Sequence, residues 1–405
     1  MSDIKIAFVT PWYGQDIPGG AEAEARRTAE HLLGAGMQVE VLTTCVREFR
    51  SDWATNYHRA GVSVENGVPV RRFPVRSRDR EAFDAVNYRL MQGLSVTPAE
   101  EELYLAESVR SLALESYIAE HRQAYLYFFI PYMFGTTYWG IRSAGDHAFI
   151  IPCLHDESYA YMGVFRGMFE RVQRVILHSN PELRLTRSLY GLSEPILALI
   201  GEGVDTDWES HSEALREKYR LERPFVLYAG RKDPGKNVDL LIRYYRRYRS
   251  GHPDGPDLVL IGGGALQAAV SGDEGIHDLG FVPAQDKYNA YAAAVCLCQP
   301  SLQESFSLVV MESWVAEVPV LVHADCAVTR EHCVRSNGGL FFTTYREFEA
   351  CLDVLLARPL VREALGRNGR RHVLENYHWD VIVDRFRQLV DDYCAMDQGR
   401  SAVGV

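Results

Sequence analysis

The 405-residue chain reads as an α/β protein built from two doubly wound parallel sheets. Three observations predict this. Short apolar runs alternate with charged, helix-forming stretches from one end to the other. The runs are nearly continuous in Val, Ile, Leu and Phe, the pattern of strands covered on both faces. The length exceeds what one hydrophobic core usually supports, so two domains are expected.

The elements follow in order. Residues 4–10 form a buried strand. The head of the chain is charged and its apolar run is short, so a strand is expected there rather than a secretory leader. Pro18-Gly19-Gly20-Ala21-Glu22 joins it to a helix at 21–33, closed by Gly34-Ala35-Gly36. Strands are expected at 39–43 and 68–75, then a long charged helix at 99–121. Residues 123–141 are 19 positions without a charge, long enough to span a bilayer. Pro131, Gly135 and the aromatic content fit a buried strand (125–130), a proline break and a short helix better. Strands at 149–154, 174–177 and 196–200 complete the first half.

Residues 201–223 are polar and charged, a linker with a short helix. The second half restarts with a strand at 225–229 and a helix from Val238. Further strands are expected at 258–261, 276–279, 295–298 and 319–322, separated by helices. Residues 359–396 are helical. Two such sheets would bind ligands in crevices beyond the carboxyl ends of their strands.

Composition bounds the function. The chain is 47% hydrophobic and 24% charged, ordinary for a soluble globular protein. A net charge of −11 argues against generic nucleic-acid binding. The eight cysteines include no Cys-x-x-Cys pair and read as reduced thiols. His323, Cys326, His332 and Cys333 are metal-ligand types, but their spacing matches no common zinc pattern.

Three motifs carry chemistry. Glu304 and Glu312 are separated by seven residues after Pro300-Ser301. On a helix they would lie about two turns apart on one side, able to grip two sets of vicinal hydroxyls. A solvated helix face would give the same spacing. Upstream, the strand 225–229 ends in Gly230, followed by Arg231 and Lys236. A glycine admits a close ligand, and two cations at a strand top and helix start suit a diphosphate. Gly19-Gly20 opens the first helix, where backbone N–H groups can face an anion; a tight turn would need them too. Gly262-Gly263-Gly264 lacks the dinucleotide-binding spacing and reads as a turn.

In this ordered set the chain resembles the retaining glycosyltransferases of the GT-B fold, family 4 (glycosyl transferases group 1). The early Gly-Gly loop, the Gly-Arg…Lys signature, the Glu-x7-Glu motif and Gly203-Val204-Asp205 all occur in the family's order. The resemblance implies two Rossmann-like domains facing each other across a cleft. They would span 1–205 on the acceptor side and 206–378 on the nucleotide-sugar side, a helix at 379–400 returning to the first.

It also implies transfer of a hexose from a nucleotide diphosphate sugar to a saccharide or lipid-linked saccharide, with retention of configuration, in bacterial glycan or polysaccharide synthesis. Arg231 and Lys236 would neutralise the departing diphosphate. Glu304 would hold sugar hydroxyls and Glu312 the ribose diol. Gly19, Gly20, Gly230, Phe281 and the backbone of Phe306, Ser307 and Leu308 would contact the donor. His155 would line the reacting centre, with Asp156 as its orienting partner and His178 as the competing candidate. Trp12, Tyr13, Tyr132 and Tyr159 would offer rings to a saccharide acceptor, although core packing would place rings there as well.

Two positions depart from the family pattern. Ser307 stands where glycine is usual, and Glu317-Val318 precede Pro319 where glycine is usual. Two fixed cations can replace a metal at a diphosphate, so catalysis without a metal or other cofactor is expected. The protein is expected in the cytoplasm. Arg71, Arg72, Arg76, Arg78 and Arg80 form a basic run that could touch anionic lipid. The other function classes are a nucleotide-sugar epimerase on the same fold, which needs no acceptor, and a non-catalytic sugar-nucleotide-binding subunit.

Overall fold

The computed structural model describes residues 4–17, 19–266, 270 and 272–403, with side chains through residue 396. The chain forms two compact units. One ends at Gly203 and resumes at Ile382; the other is Val204–Val381.

The first unit contains β1 (Lys5–Thr10), α1 (Gly20–Gly34), β2 (Val39–Thr44), β3 (Gly61–Glu65), β4 (Val68–Phe73), α2 (Arg80–Met91), α3 (Pro98–Ala106), α4 (Leu112–Glu120), β5 (Tyr125–Phe129), α5 (Gly135–Ala144), β6 (Ala148–Ile150), α6 (Gly163–Phe169), β7 (Arg174–Leu177), α7 (Asn180–Tyr190) and β8 (Leu197–Leu199). Its sheet runs β3-β4-β2-β1-β5-β6-β7-β8. All pairs are parallel except the β3–β4 hairpin. Every residue of β5 is buried, as a strand with both faces covered requires.

Strand β3 and helix α2 are elements beyond those expected. Asn66-Gly67, both at positive φ, is the hairpin turn whose twist suits flanking strands. In α2, Phe83, Val86 and Leu90 are buried and Asp79 caps the start. The single helix expected at 99–121 is two helices. Ser111 accepts from the Leu114 amide and donates to the Pro74 carbonyl at 2.6 Å, so a new N-cap interrupts the run.

The second unit contains α8 (Ser212–Tyr219), β9 (Phe225–Ala229), α9 (Val238–Gly251), β10 (Asp257–Ile261), β11 (Ile276–Gly280), α10 (Ala284–Ala293), β12 (Cys296–Gln299), α11 (Leu308–Val315), β13 (Val320–His323), α12 (Ala327–Ser336), β14 (Gly339–Phe342), α13 (Tyr345–Ala357) and α14 (Pro359–Asn376). Its sheet runs β11-β10-β9-β12-β13-β14, all parallel. Strand β14 is a further element beyond those expected. Helix α15 (Trp379–Val403) starts in the second unit and belongs to the first from Ile382. There Phe386 packs on Phe128 and Tyr393 on Phe149, with centroids 5.9 and 5.3 Å apart.

The stretch 123–141 resolves into β5, a break at Pro131 and α5. Among the described residues, no helix is long and apolar enough to cross a membrane.

Candidate functional site

In the second unit, strand order reverses between β9 and β12. The crevice beyond the carboxyl ends of two such strands is where doubly wound sheets bind ligands. The loop after β9 carries Gly230, Arg231 and Lys236; the loop after β12 carries Glu304. Lys236 Nζ donates to Glu304 Oε1 at 2.7 Å, so a side chain from each loop meets at this reversal. Asn237 ties the same two loops by donating to the Pro300 carbonyl at 3.1 Å.

Local structure explains the placement. Asp233 accepts from the Lys236 amide and caps a short 3-10 turn. Tyr228 donates to the Arg231 carbonyl at 2.6 Å, fixing that backbone. The Arg231 side chain is 54% exposed, its Nε 3.5 Å from Asp233. Lys236 is 19% exposed. A solvent-facing guanidinium thus sits beside a shielded ammonium. Lys232, by contrast, is buried against Asp278.

The glycine run after β10 is a close backbone approach. Any Cβ at Gly262 would lie 2.0 Å from the Gly230 carbonyl oxygen, and Gly264 bridges to Lys232. Gly262 and Gly263 form a bend directly after β10, where a turn is expected.

The two glutamates do not share a helix edge. Helix α11 begins only at Leu308, because Ser307 takes a left-handed conformation at φ 78° that a helix cannot contain. Glu304 therefore lies in the loop, accepting from Lys236 and from Gln299 Nε2 at 3.3 Å. Glu312 is inside α11, accepting from Lys287 Nζ at 2.6 Å and the Tyr291 hydroxyl at 2.8 Å. Each Glu312 oxygen keeps lone-pair capacity beyond these bonds. The residues that hold the glutamates, Gln299, Lys287 and Tyr291, carry no motif spacing that sequence reasoning could use.

Around them, Phe281 is 82% exposed after β11. The Phe306 ring is buried against His332 and Tyr377, leaving its backbone as the part that could meet a ligand. Ser307 Oγ is buried without a partner among the described residues. His332 and His372 lie behind Phe306, and burial lowers them to about 3 and about 4 respectively. His323 packs on Phe342 instead, and among the described residues no group of three or more histidines, cysteines or carboxylates could hold a metal ion.

In the first unit, the order reverses between β1 and β5. Gly19 is the N-cap of α1 at φ 146°; a Cβ there would meet Glu22, whereas Gly20 has open space. The aromatic candidates are core. Trp12 packs on Trp53 and Phe134 and donates to Glu22 at 2.7 Å. Tyr13 is buried, and Tyr132 packs on Phe165. A ring enclosed this way has no face to offer a sugar, so the acceptor role assigned to these three is corrected to packing. Tyr159 is half-buried and donates to Asn87 at 2.7 Å.

His155 follows β6 with Nδ1 3.8 Å from Glu157 Oε1. Burial raises Glu157 to about 7, against a hydrogen bond from Tyr132 that lowers it. Asp156 accepts from Tyr161 at 2.6 Å. His178 is fully buried between Glu24 and Glu182, which removes it as the competing reacting-centre histidine. The basic run is largely neutralised within the unit: Arg71 pairs with Glu40, Arg72 with Glu65, Arg76 with Glu107 and Arg80 with Asp84, and Arg78 lies over Trp53 and Phe83.

Residues 211–372 match the family model described as glycosyl transferases group 1. The D-inositol 3-phosphate glycosyltransferase of Jonesia denitrificans is 26% identical over 234 residues, covering 52% of this chain and 55% of the relative. A GDP-mannose-dependent monoacylated alpha-(1-6)-phosphatidylinositol monomannoside mannosyltransferase of Corynebacterium glutamicum is 25% identical over 233 residues, covering 52% and 60%. The chain spans about half the length of the curated relatives it matches. The sucrose-phosphate synthase structure from Thermosynechococcus elongatus matches with TM-score 0.73 at 19% identity, covering 97% of this chain and 100% of that one. Anabaena HepE in complex with UDP and glucose matches with TM-score 0.69 at 13% identity, covering 96% and 100%. Residues 211–372 are thus similar to the glycosyl transferases group 1 domain, and the two parallel-sheet Rossmann-like units have the GT-B fold.

Proposed function

We propose that the protein is a retaining glycosyltransferase that moves a hexose from a nucleotide diphosphate sugar to a saccharide or lipid-linked saccharide. The observation that carries this reading is the Lys236–Glu304 pair at the β9/β12 reversal, with Arg231 exposed beside it. One group suits a diphosphate, its partner suits sugar hydroxyls, and the two already touch. HepE, a relative in fold, is described with UDP and with UDP-glucose, which supports a nucleotide-sugar donor.

In this mechanism Arg231 and Lys236 stabilise the charge that grows on the departing diphosphate. Lys236 would turn from Glu304 to the phosphate as the donor enters, and the released Glu304 oxygen would accept sugar hydroxyls. Glu312, anchored by Lys287 and Tyr291, would take the ribose diol, and Phe281 offers an exposed ring to the base. His155 would line the reacting centre. Two cations carried by these loops can do the work of a metal, so the reaction is proposed to be metal-independent.

A thermal-shift screen against nucleotide diphosphate sugars, followed by product analysis with saccharide acceptors, tests the reading. A bound donor at 100 times its Kd raises stability by about 2.7 kcal/mol. Transfer should then survive excess EDTA. Absence of any stabilising donor, or a changed sugar formed without an acceptor, would refute the transferase reading; loss of transfer in EDTA restored by a divalent cation would refute metal independence.

A further inference from the structure

One group of buried ionisable side chains in the first unit has no part in the mechanism above. Glu24 on α1, His178 after β7 and Glu182 on α7 are 5%, 1% and 2% exposed. His178 Nε2 lies 2.5 Å from Glu24 Oε1 and its Nδ1 3.3 Å from Glu182 Oε2. The other Glu24 oxygen accepts from the Cys153 thiol at 3.4 Å. Glu182 also accepts two backbone amides, Leu154 at Oε1 and His178 at Oε2, both at 2.7 Å.

The cluster joins three segments. Cys153 and Leu154 follow β6 and immediately precede His155. His178 follows β7. Glu24 lies just inside the helix that Gly19-Gly20 opens. Neighbouring strands could align two of these segments through their ladder, but β1 and β6 are separated by β5. A direct side-chain bond is the shorter link between their loops.

Packing alone does not explain charged groups here. Three apolar side chains would fill the space without the desolvation that buried charges suffer. What the ionic set adds is direction, because each bond has one geometry. Cys153 shows the consequence: it is a non-glycine residue at φ 52°, a conformation that persists only where surroundings over-determine it. The Glu24–thiol bond and the Glu182–Leu154 amide bond clamp it on both sides.

We infer that Glu24, His178 and Glu182 form a positioning network that fixes the 153–155 loop against the first turns of α1, so that His155 is presented in one geometry. The inference rests on the proposed role of His155. Burial opposes charge on His178, but Glu24 and Glu182 outweigh it and hold the ring well above the usual histidine range. Burial, with Glu24, Glu182 and Glu202 nearby, pushes the Cys153 thiol well up, so it stays protonated and remains a donor.

The test uses the whole chain with Glu182→Gln, and with Glu24→Gln as the milder variant should the first not fold. Hydrogen exchange is followed by mass spectrometry, and UDP release from UDP-glucose is followed in parallel. In the variants the 153–156 amides should exchange at least about ten-fold faster, with β5 and β7 amides unchanged. The kcat should fall about ten-fold or more and KM by no more than about three-fold, since the proposed donor contacts are mostly in the second unit. Wild-type exchange in the loop, or wild-type kcat in a folded variant, overturns the inference. If the unaltered protein releases no UDP, the UDP-glucose reading is what fails, and the exchange measurement still decides the network.

Discussion

Lys236 and Glu304 hold each other at 2.7 Å, and this makes the effect of removing the charge on Glu304 asymmetric. Glu304→Gln should release Lys236 for phosphate while depriving the sugar of a carboxylate acceptor, the stronger kind of partner. Isothermal titration should therefore show UDP binding unchanged or tighter, and UDP-glucose binding weaker by about three-fold or more. Equal weakening of both ligands would show that Glu304 does not read the sugar. Ser307 makes a second case. Its left-handed backbone costs an L-residue about 1–2 kcal/mol, and its buried hydroxyl has no partner among the described residues. Ser307→Gly should stabilise the second unit by about 1 kcal/mol, a rise in Tm of roughly 2–4 °C for a domain of this size. A lower Tm would mean that the hydroxyl contributes more than the strain removes.

At the level of elements, α12 and α14 place His332 and His372 in the aromatic cluster behind Phe306, rings 6.4 Å apart. Burial holds them at about 3 and about 4, below the ordinary value of about 6.5. Between those values and pH 6.5 the unfolded chain binds more protons than the folded one, so stability must fall as pH drops. The second unit should lose stability from about pH 6.5 downward. His332→Phe should flatten that slope, because it removes the group with the larger shift. Chemical denaturation at pH 7 and pH 4.5 measures both slopes; an equally steep loss in the variant would remove His332 as the cause. The loop that Phe306 anchors also bears Glu304, so the same acid transition should weaken donor binding.

For the whole molecule, helix α15 decides where the first unit ends. Phe386, Tyr393 and Ile382 are buried, the two rings against Phe128 and Phe149 of the sheet. Removing a buried side chain of this kind loses about 1.5–3 kcal/mol. A chain stopped after Val381 should lose most of the stability of the first unit. The second unit keeps its own core of β9, β10, α9 and α13 side chains and should retain its melting transition. Calorimetry would show one transition lost or sharply lowered and one preserved. Loss of both would mean that the two units unfold together.

The order of most strands and helices was legible in the sequence, as were the spacings Gly230-Arg231…Lys236 and Glu304…Glu312. Buried parallel strands write themselves as unbroken apolar runs, and the glycine and cations proposed to meet a diphosphate lie within one short loop. The β3–β4 hairpin and α2 are also written there, in Asn66-Gly67 and in the Phe83, Val86, Leu90 spacing. Only the tertiary structure decided the rest. It set Lys236 on Glu304 across 68 residues and Lys287 and Tyr291 on Glu312. It closed His178 between Glu24, 154 residues away, and Glu182, and it turned Trp12, Tyr13 and Tyr132 into core. A local pattern fixes which face of an element is apolar, because that depends on periodicity alone. Which partner a side chain finds depends on the order of strands in the sheet, and no single segment carries that order.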